Sequence, residues 1–114
     1  MSGRIRVAPV EERTADGIIF ASKREMGHYL QFRALDRSGA IAKLERQVPF
    51  QIFAAQLGAE VKAVPVAKYI ADFVITEKDG TRGVYDSKGH RTEMYRLKKK
   101  LVEACYPGLR IVEL

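Results

Sequence analysis

The chain carries a single cysteine, Cys105, among its 114 residues, so it can form no internal disulfide. That fits a reducing compartment, and a cytoplasmic location is expected. One cysteine and two histidines are too few for a zinc site of the Cys/His type. No apolar run approaches the length of a bilayer span, and the N-terminus lacks the apolar segment of a secretory signal, so no membrane partner is expected. Internal repeats, low-complexity tracts and domain linkers are missing. So are a Gly-rich phosphate loop, a G-x-S-x-G elbow and a Cys/His dyad. One stretch is short of acid: between residues 88 and 100, Glu93 stands alone against Lys88, Arg91, Arg96, Lys98, Lys99 and Lys100.

Those six cations and one acid leave a local charge of +5 within a chain total of +6. Positive charge concentrated in this way suits a polyanion such as nucleic acid, although a solvated helix face would look the same. The length suffices for one domain with one modest core, and the 46% apolar fraction is ordinary for a globular protein.

Residues 1–16 are polar, mixed and without a period. They read as a flexible N-terminal arm or an edge element, with the folded domain spanning 17–114. Asp16-Gly17 marks a turn, followed by a short strand at Ile18–Phe20. Ser22 and Glu25 have S-x-x-E capping-box spacing and start a helix whose inner face is Met26, Tyr29, Leu30 and Ala34, widened by Phe32 and Leu35. Gly39 stops it. "IAKLERQVPFQIF" reads as one or two strands with Val48, Phe50 and Ile52 on one side, and Pro49 argues for an edge or a bend. Residues 54–67 show no firm pattern and read as a loop. "KYIADFVIT" and "RGVYDSK" are strands. Thr92 can cap a last helix with the apolar stripe Met94, Leu97, Leu101, Ala104 and Cys105. Pro107-Gly108 ends it, and "LRIVEL" forms a closing strand.

The turn between the two strong strands decides what their polar residues do. "EKDGT" suits a three-residue hairpin loop, Lys78-Asp79-Gly80, with Gly80 left-handed. Ile75 then pairs with Gly83, and Asp72 with Asp86. Period two puts Lys88 on the same face. A two-residue Asp-Gly loop would instead pair Asp72 with Ser87 and split the acids across the sheet. Two opposed carboxylates inside an apolar strand pair need a positive partner. Lys88 supplies one in a structural salt bridge. A divalent cation supplies the other solution, since Mg²⁺ takes one or two carboxylates and keeps several waters.

Other residues carry two readings each. Glu25 is a helix cap or a third acid beside a metal. Gln47 is an ordinary polar strand residue or a group that touches water or phosphate. His28 shares the face of Glu25, where a packed or solvent-facing histidine is the favoured account over a general base. Tyr95 and Lys98, one turn apart, point toward the acids or into solvent, with Lys99 and Lys100 further round. Cys105 lies on the apolar stripe as core.

The ordered set of Glu25 on a helix, Asp72 and Asp86-Ser87-Lys88 on a hairpin, and a basic helix after Thr92 resembles the PD-(D/E)XK nuclease superfamily. More closely it resembles a family of small phage and prophage proteins placed there, through "DGIIFASKREMGHYL", "LERQVPFQI", "YIADFVITEKDG" and "VYDSKGHRTEMYRLKKKLVEACYPGLRIVEL". The resemblance implies a single α/β domain with a restriction-endonuclease-like mixed central sheet flanked by helices. It implies Mg²⁺- or Mn²⁺-dependent endonuclease activity on DNA, with branched structures as expected substrates, in a bacterial host cell. Asp72, Asp86, the Ser87 backbone carbonyl and Glu25 are the implied metal ligands, and Lys88 is the implied catalytic lysine. Arg91, Thr92, Tyr95, Lys98 and Lys99 would grip the DNA backbone, and symmetric cutting would call for a homodimer. Gly27 stands where a second helix acid is frequent in the superfamily, and Tyr85 stands where an acid often precedes Asp86. The competing expectation is a basic nucleic-acid-binding module that keeps the fold without the chemistry.

Overall fold

The computed structural model describes residues 7–114. Of the expected N-terminal arm, residues 1–6 lie outside the described part. From Val10 the chain has regular structure. A 3-10 turn at Val10–Arg13 leads into strand β1 (Thr14–Ala15), which pairs with β2 (Ile18–Ile19). Asp16 and Gly17 join them with φ of 52° and 74°, the left-handed pair that a tight two-residue hairpin requires.

Helix α1 (Lys23–Arg37) starts where Ser22 Oγ accepts the Glu25 backbone N–H at 3.0 Å. Strands β3 (Lys43–Gln56), β4 (Lys62–Thr76), β5 (Arg82–Asp86) and β6 (Ile111–Glu113) form one sheet in the order β3-β4-β5-β6. The first two pairings are antiparallel and β5–β6 is parallel, so the sheet is mixed. The parallel step needs a crossover, which helix α2 (Glu93–Cys105) supplies after its Thr92 cap. Thr92 Oγ1 accepts the Tyr95 N–H at 3.1 Å. The result is an α/β fold with one helix on each face. On the α1 face, Phe32 meets Phe73 and Tyr85 with ring centroids 5.2 and 5.4 Å apart. On the α2 face, Ile52, Tyr69, Val74, Val84, Tyr95, Val102 and Ile111 form the main core. Val48 and Phe50 pack against it, on the side their alternation predicts, and Pro49 lies in the edge strand as expected. Among the described residues no helix is long and apolar enough to cross a membrane.

Two expectations fail. Residues 54–67 are largely strand, because β3 and β4 continue to Gln56 and Lys62 as one long hairpin. Their Ala, Gln and Lys residues have weak strand preference, and it is the pairing that holds them extended. A register shift between Ile52 and Phe53 sits opposite Pro65, and there the Phe53 N–H donates to Cys105 Sγ at 3.3 Å. Helix α2 also packs on a different side from its apolar stripe. Tyr95 and Val102 are buried, while Met94, Leu97 and Leu101 are 60%, 51% and 39% exposed. Its inner face carries Tyr95 and Val102 and packs against β3 and β4, and it is not the one richest in leucine.

Candidate functional site

The β4–β5 turn builds the site. Gly80 has φ of 90°, its N–H reaches the Glu77 carbonyl at 3.0 Å, and the Glu77 N–H reaches the Thr81 carbonyl at 2.7 Å. This is the three-residue loop, and Asp79 Oδ1 supports it by accepting the Thr81 N–H at 2.9 Å. Ile75 pairs with Gly83 and Phe73 with Tyr85, so the same register sets Asp72 opposite Asp86. Both carboxylates are buried. Lys88 closes the group: its Nζ donates to Asp86 Oδ1 at 2.8 Å and to Asp72 Oδ2 at 3.2 Å. Asp72 Oδ2 also accepts the Ser87 backbone N–H at 2.8 Å.

Glu25 joins from α1. Its backbone completes half of the capping box, but its carboxylate turns inward and is only 5% exposed. Gln47 links the two halves of the site, with Nε2 at 3.4 Å from Glu25 Oε2 and 3.3 Å from Asp72 Oδ1. Gln47 has φ of 50°, an uncommon conformation for a non-glycine residue inside a strand. Glu25, Arg46, Gln47, Asp72 and Lys88 line one cavity of about 500 Å³.

The charges are strained by burial. Desolvation pushes Glu25 above the usual carboxylate range and the Asp72 charge adds to this, against the pull of Arg46 and Lys88. Desolvation likewise raises Asp86, while Lys88 offsets part of it. Burial works to lower Lys88, but its bond to Asp86 and the fields of both aspartates outweigh that and raise it. The lysine is therefore held as a cation between the two acids.

Ser87 Oγ and His28 Nδ1 share a hydrogen bond of 2.6 Å, so His28 is neither idle in solvent nor aimed at the acids. Burial, followed by the nearby Arg24, lowers the His28 pKa. Tyr95, expected on the DNA-gripping surface, lines the same groove as Lys88, Thr92 and Lys98. It is buried, stacks near Tyr69 at 6.3 Å, and places its ring 5.7 Å from Lys88 Nζ. The remaining basic residues split into two groups. Lys98 and Thr92 share a groove with Lys88 and Lys68. Arg91 and Lys99 line a separate one and are partly neutralised, Arg91 by Glu113 at 2.9 Å and Lys99 by Glu103 at 3.3 Å. Arg46, which also lines this cavity, is not signalled by the sequence, since strand alternation places it on the face opposite Gln47.

The donor chemistry suits one hard divalent cation. Two carboxylates meet, and Asp86 Oδ2 is buried without a partner among the described residues. It does not form a closed cage. Among the described residues no group of three or more His, Cys, Asp or Glu is placed to hold a metal, so water and ligand oxygens would complete the shell.

No curated protein and no solved structure matches this sequence. One family model does match, over residues 10–113, which covers both helices, the whole sheet and every residue of the acid–lysine group. The chain accordingly belongs to the family described as Protein of unknown function (DUF1064).

Proposed function

We propose that this protein hydrolyses phosphodiester bonds in DNA with the help of Mg²⁺ or Mn²⁺. One observation carries the reading: two buried carboxylates from neighbouring strands meet a lysine two residues after the second, with a third carboxylate arriving from a helix. Asp72 and Asp86 would hold the metal, with the Ser87 carbonyl and water completing the shell, while Glu25, engaged by Arg46 and Gln47, stands beside the ion and not on it. The bound ion would polarise the phosphoryl oxygen and lower the pKa of a water. Lys88 holds that water or a phosphate oxygen and offsets developing negative charge. Thr92 and Lys98, in the groove beside Lys88, hold the strand by its backbone and read no bases. Little apparatus for base readout favours a substrate recognised by shape, such as a branched junction, and symmetric cuts there would need two copies. The reading fits a phage- or prophage-encoded protein acting in the bacterial cytoplasm.

A second reading has its own support. Lys88 already bridges both acids, and no three-ligand group is assembled among the described residues. That arrangement suits a structural ion cluster in a nucleic-acid-binding module without chemistry. Incubation with supercoiled and branched DNA, with and without Mg²⁺ or Mn²⁺, separates the two. Metal-dependent nicking that disappears with EDTA supports the nuclease. Shifted but uncut DNA under every condition supports the module.

A further inference from the structure

We infer that Arg46 is a phosphate-binding residue of this cavity, aimed into it by the left-handed backbone at Gln47. The inference rests on the reading of the cavity as a phosphodiester site and adds a contact that the acid–lysine group does not contain.

Successive side chains of a strand point to opposite faces. Arg46 and Gln47 break that rule, because both reach Glu25 Oε2, at 3.5 and 3.4 Å. The ladder pairs Arg46 with Phe73 and Val48 with Ala71, and the residue between them has φ of 50°. A non-glycine residue in this region is strained, and such strain concentrates at functional sites. Here its product is specific: two consecutive polar side chains converge on one cavity.

The cations of the cavity differ in how fully they are used. Arg13 directs its donors to main chain, with Nε on the Ala8 carbonyl at 2.8 Å and a terminal nitrogen on the Phe20 carbonyl at 2.6 Å. Lys88 has both aspartates. Among the described residues Arg46 has only the 3.5 Å approach to Glu25, longer than a well-made charged hydrogen bond, and its buried Nε meets no acceptor there. Its guanidinium lies 4.5 Å over the Phe20 ring, with Tyr29 at 6.0 Å. Stacking fixes the plane of the group, and with Nε buried it is the terminal nitrogens that remain to meet a ligand. A planar fork held flat, short of acceptors and facing a cavity that also holds Asp72 and Lys88, matches two oxygens of a phosphate. Gln47 bridges Glu25 and Asp72 through the two long bonds of its Nε2.

The test is DNA affinity against salt, read by fluorescence anisotropy of a labelled duplex in EDTA and again in Ca²⁺, for wild type, Arg46→Met and Arg46→Gln. Glutamine can still donate to Glu25, so it carries the test if the methionine variant does not fold. Each neutral variant should lose about tenfold in affinity at low salt, as expected for one charge-assisted hydrogen bond. The slope of log affinity against log salt should fall by about one unit in at least one of the two conditions. Absence of DNA binding by the wild type, or an unchanged slope and affinity for a folded variant in both conditions, overturns the assignment. The outcome stays distinct from the fate of the nuclease reading. A lowered slope in a protein that never nicks DNA leaves Arg46 as a phosphate contact in a binding module, whereas wild-type nicking with unchanged Arg46→Gln binding leaves the nuclease without it.

Discussion

Strand β4 takes part in two hairpins that behave in opposite ways. With β5 it forms a short pair closed by a three-residue loop, buried on both faces, and there it brings Asp72 and Asp86 together. With β3 it forms a long ribbon whose outer half is exposed, whose register shifts near Pro65, and whose backbone turns left-handed at Gln47. The first hairpin has its register fixed twice, by loop chemistry and by burial, since a slip of one residue would turn its apolar set outward. The second has no tight loop, and beyond its buried Ile52 the outer half is held only by the pairing itself. Both deliver side chains to the same cavity. One does it through regular alternation, the other by breaking alternation at a single residue.

The largest expected effect lies in the regular hairpin. Asp86→Asn and Lys88→Ala should each reduce Mn²⁺-dependent nicking by on the order of 10²–10³-fold or more. Metal-free stability should behave differently. Burial already pushes the Asp86 carboxyl upward, and Lys88 keeps Asp72 as a partner at 3.2 Å. Asp86→Asn should therefore melt at the wild-type temperature or slightly above it. If the cluster is structural instead, removing one partner of a buried ion pair costs about 3–5 kcal/mol and the variant melts far lower. Melting curves beside the nicking assay distinguish the two accounts, and strong destabilisation without metal would refute the catalytic reading.

The contrast also explains how much was legible in the sequence. Gly80 after Asp79 announced the loop, the loop announced the register, and the register placed Asp72, Asp86 and Lys88 on one face, as found. Ser22 announced the start of α1, but a capping-box glutamate says nothing about where its carboxylate will go. Here burial against β3 and β4 turns it inward. The ribbon stayed hidden because Ala54–Gln56 and Lys62–Val64 carry no alternating pattern and depend on one another for their extended form. Arg46 stayed hidden because the left-handed residue beside it follows from no local motif. The face of α2 was misjudged because Met94, Leu97 and Leu101 define the more apolar stripe, whereas the sheet meets the helix through Tyr95 and Val102.

The two loops allow the comparison to be tested on stability alone. Gly80→Ala forces a side chain into φ near 90° and should cost about 1–2 kcal/mol, read by urea denaturation. Gly58, in the loop of the ribbon, has no such constraint, and an added Cβ would meet only the Glu60 carbonyl at 3.8 Å. Gly58→Ala should change stability by no more than about 0.5 kcal/mol. Equal losses at both positions would mean that the ribbon loop constrains its strands as firmly as the tight turn does.

The smallest effect belongs to the tip of the ribbon. Leu57 and Val61 are 80% and 70% exposed, so replacing either by serine removes little buried apolar surface. Each substitution should shift stability by less than about 0.5 kcal/mol, within the range of ordinary surface changes. Metal-dependent nicking should be unaffected, because neither residue lines the cavity that holds Asp72 and Lys88. A loss above about 1 kcal/mol in either variant would show that the tip is covered in solution, and the ribbon would then owe its extended form to that cover and not to the pairing of β3 with β4.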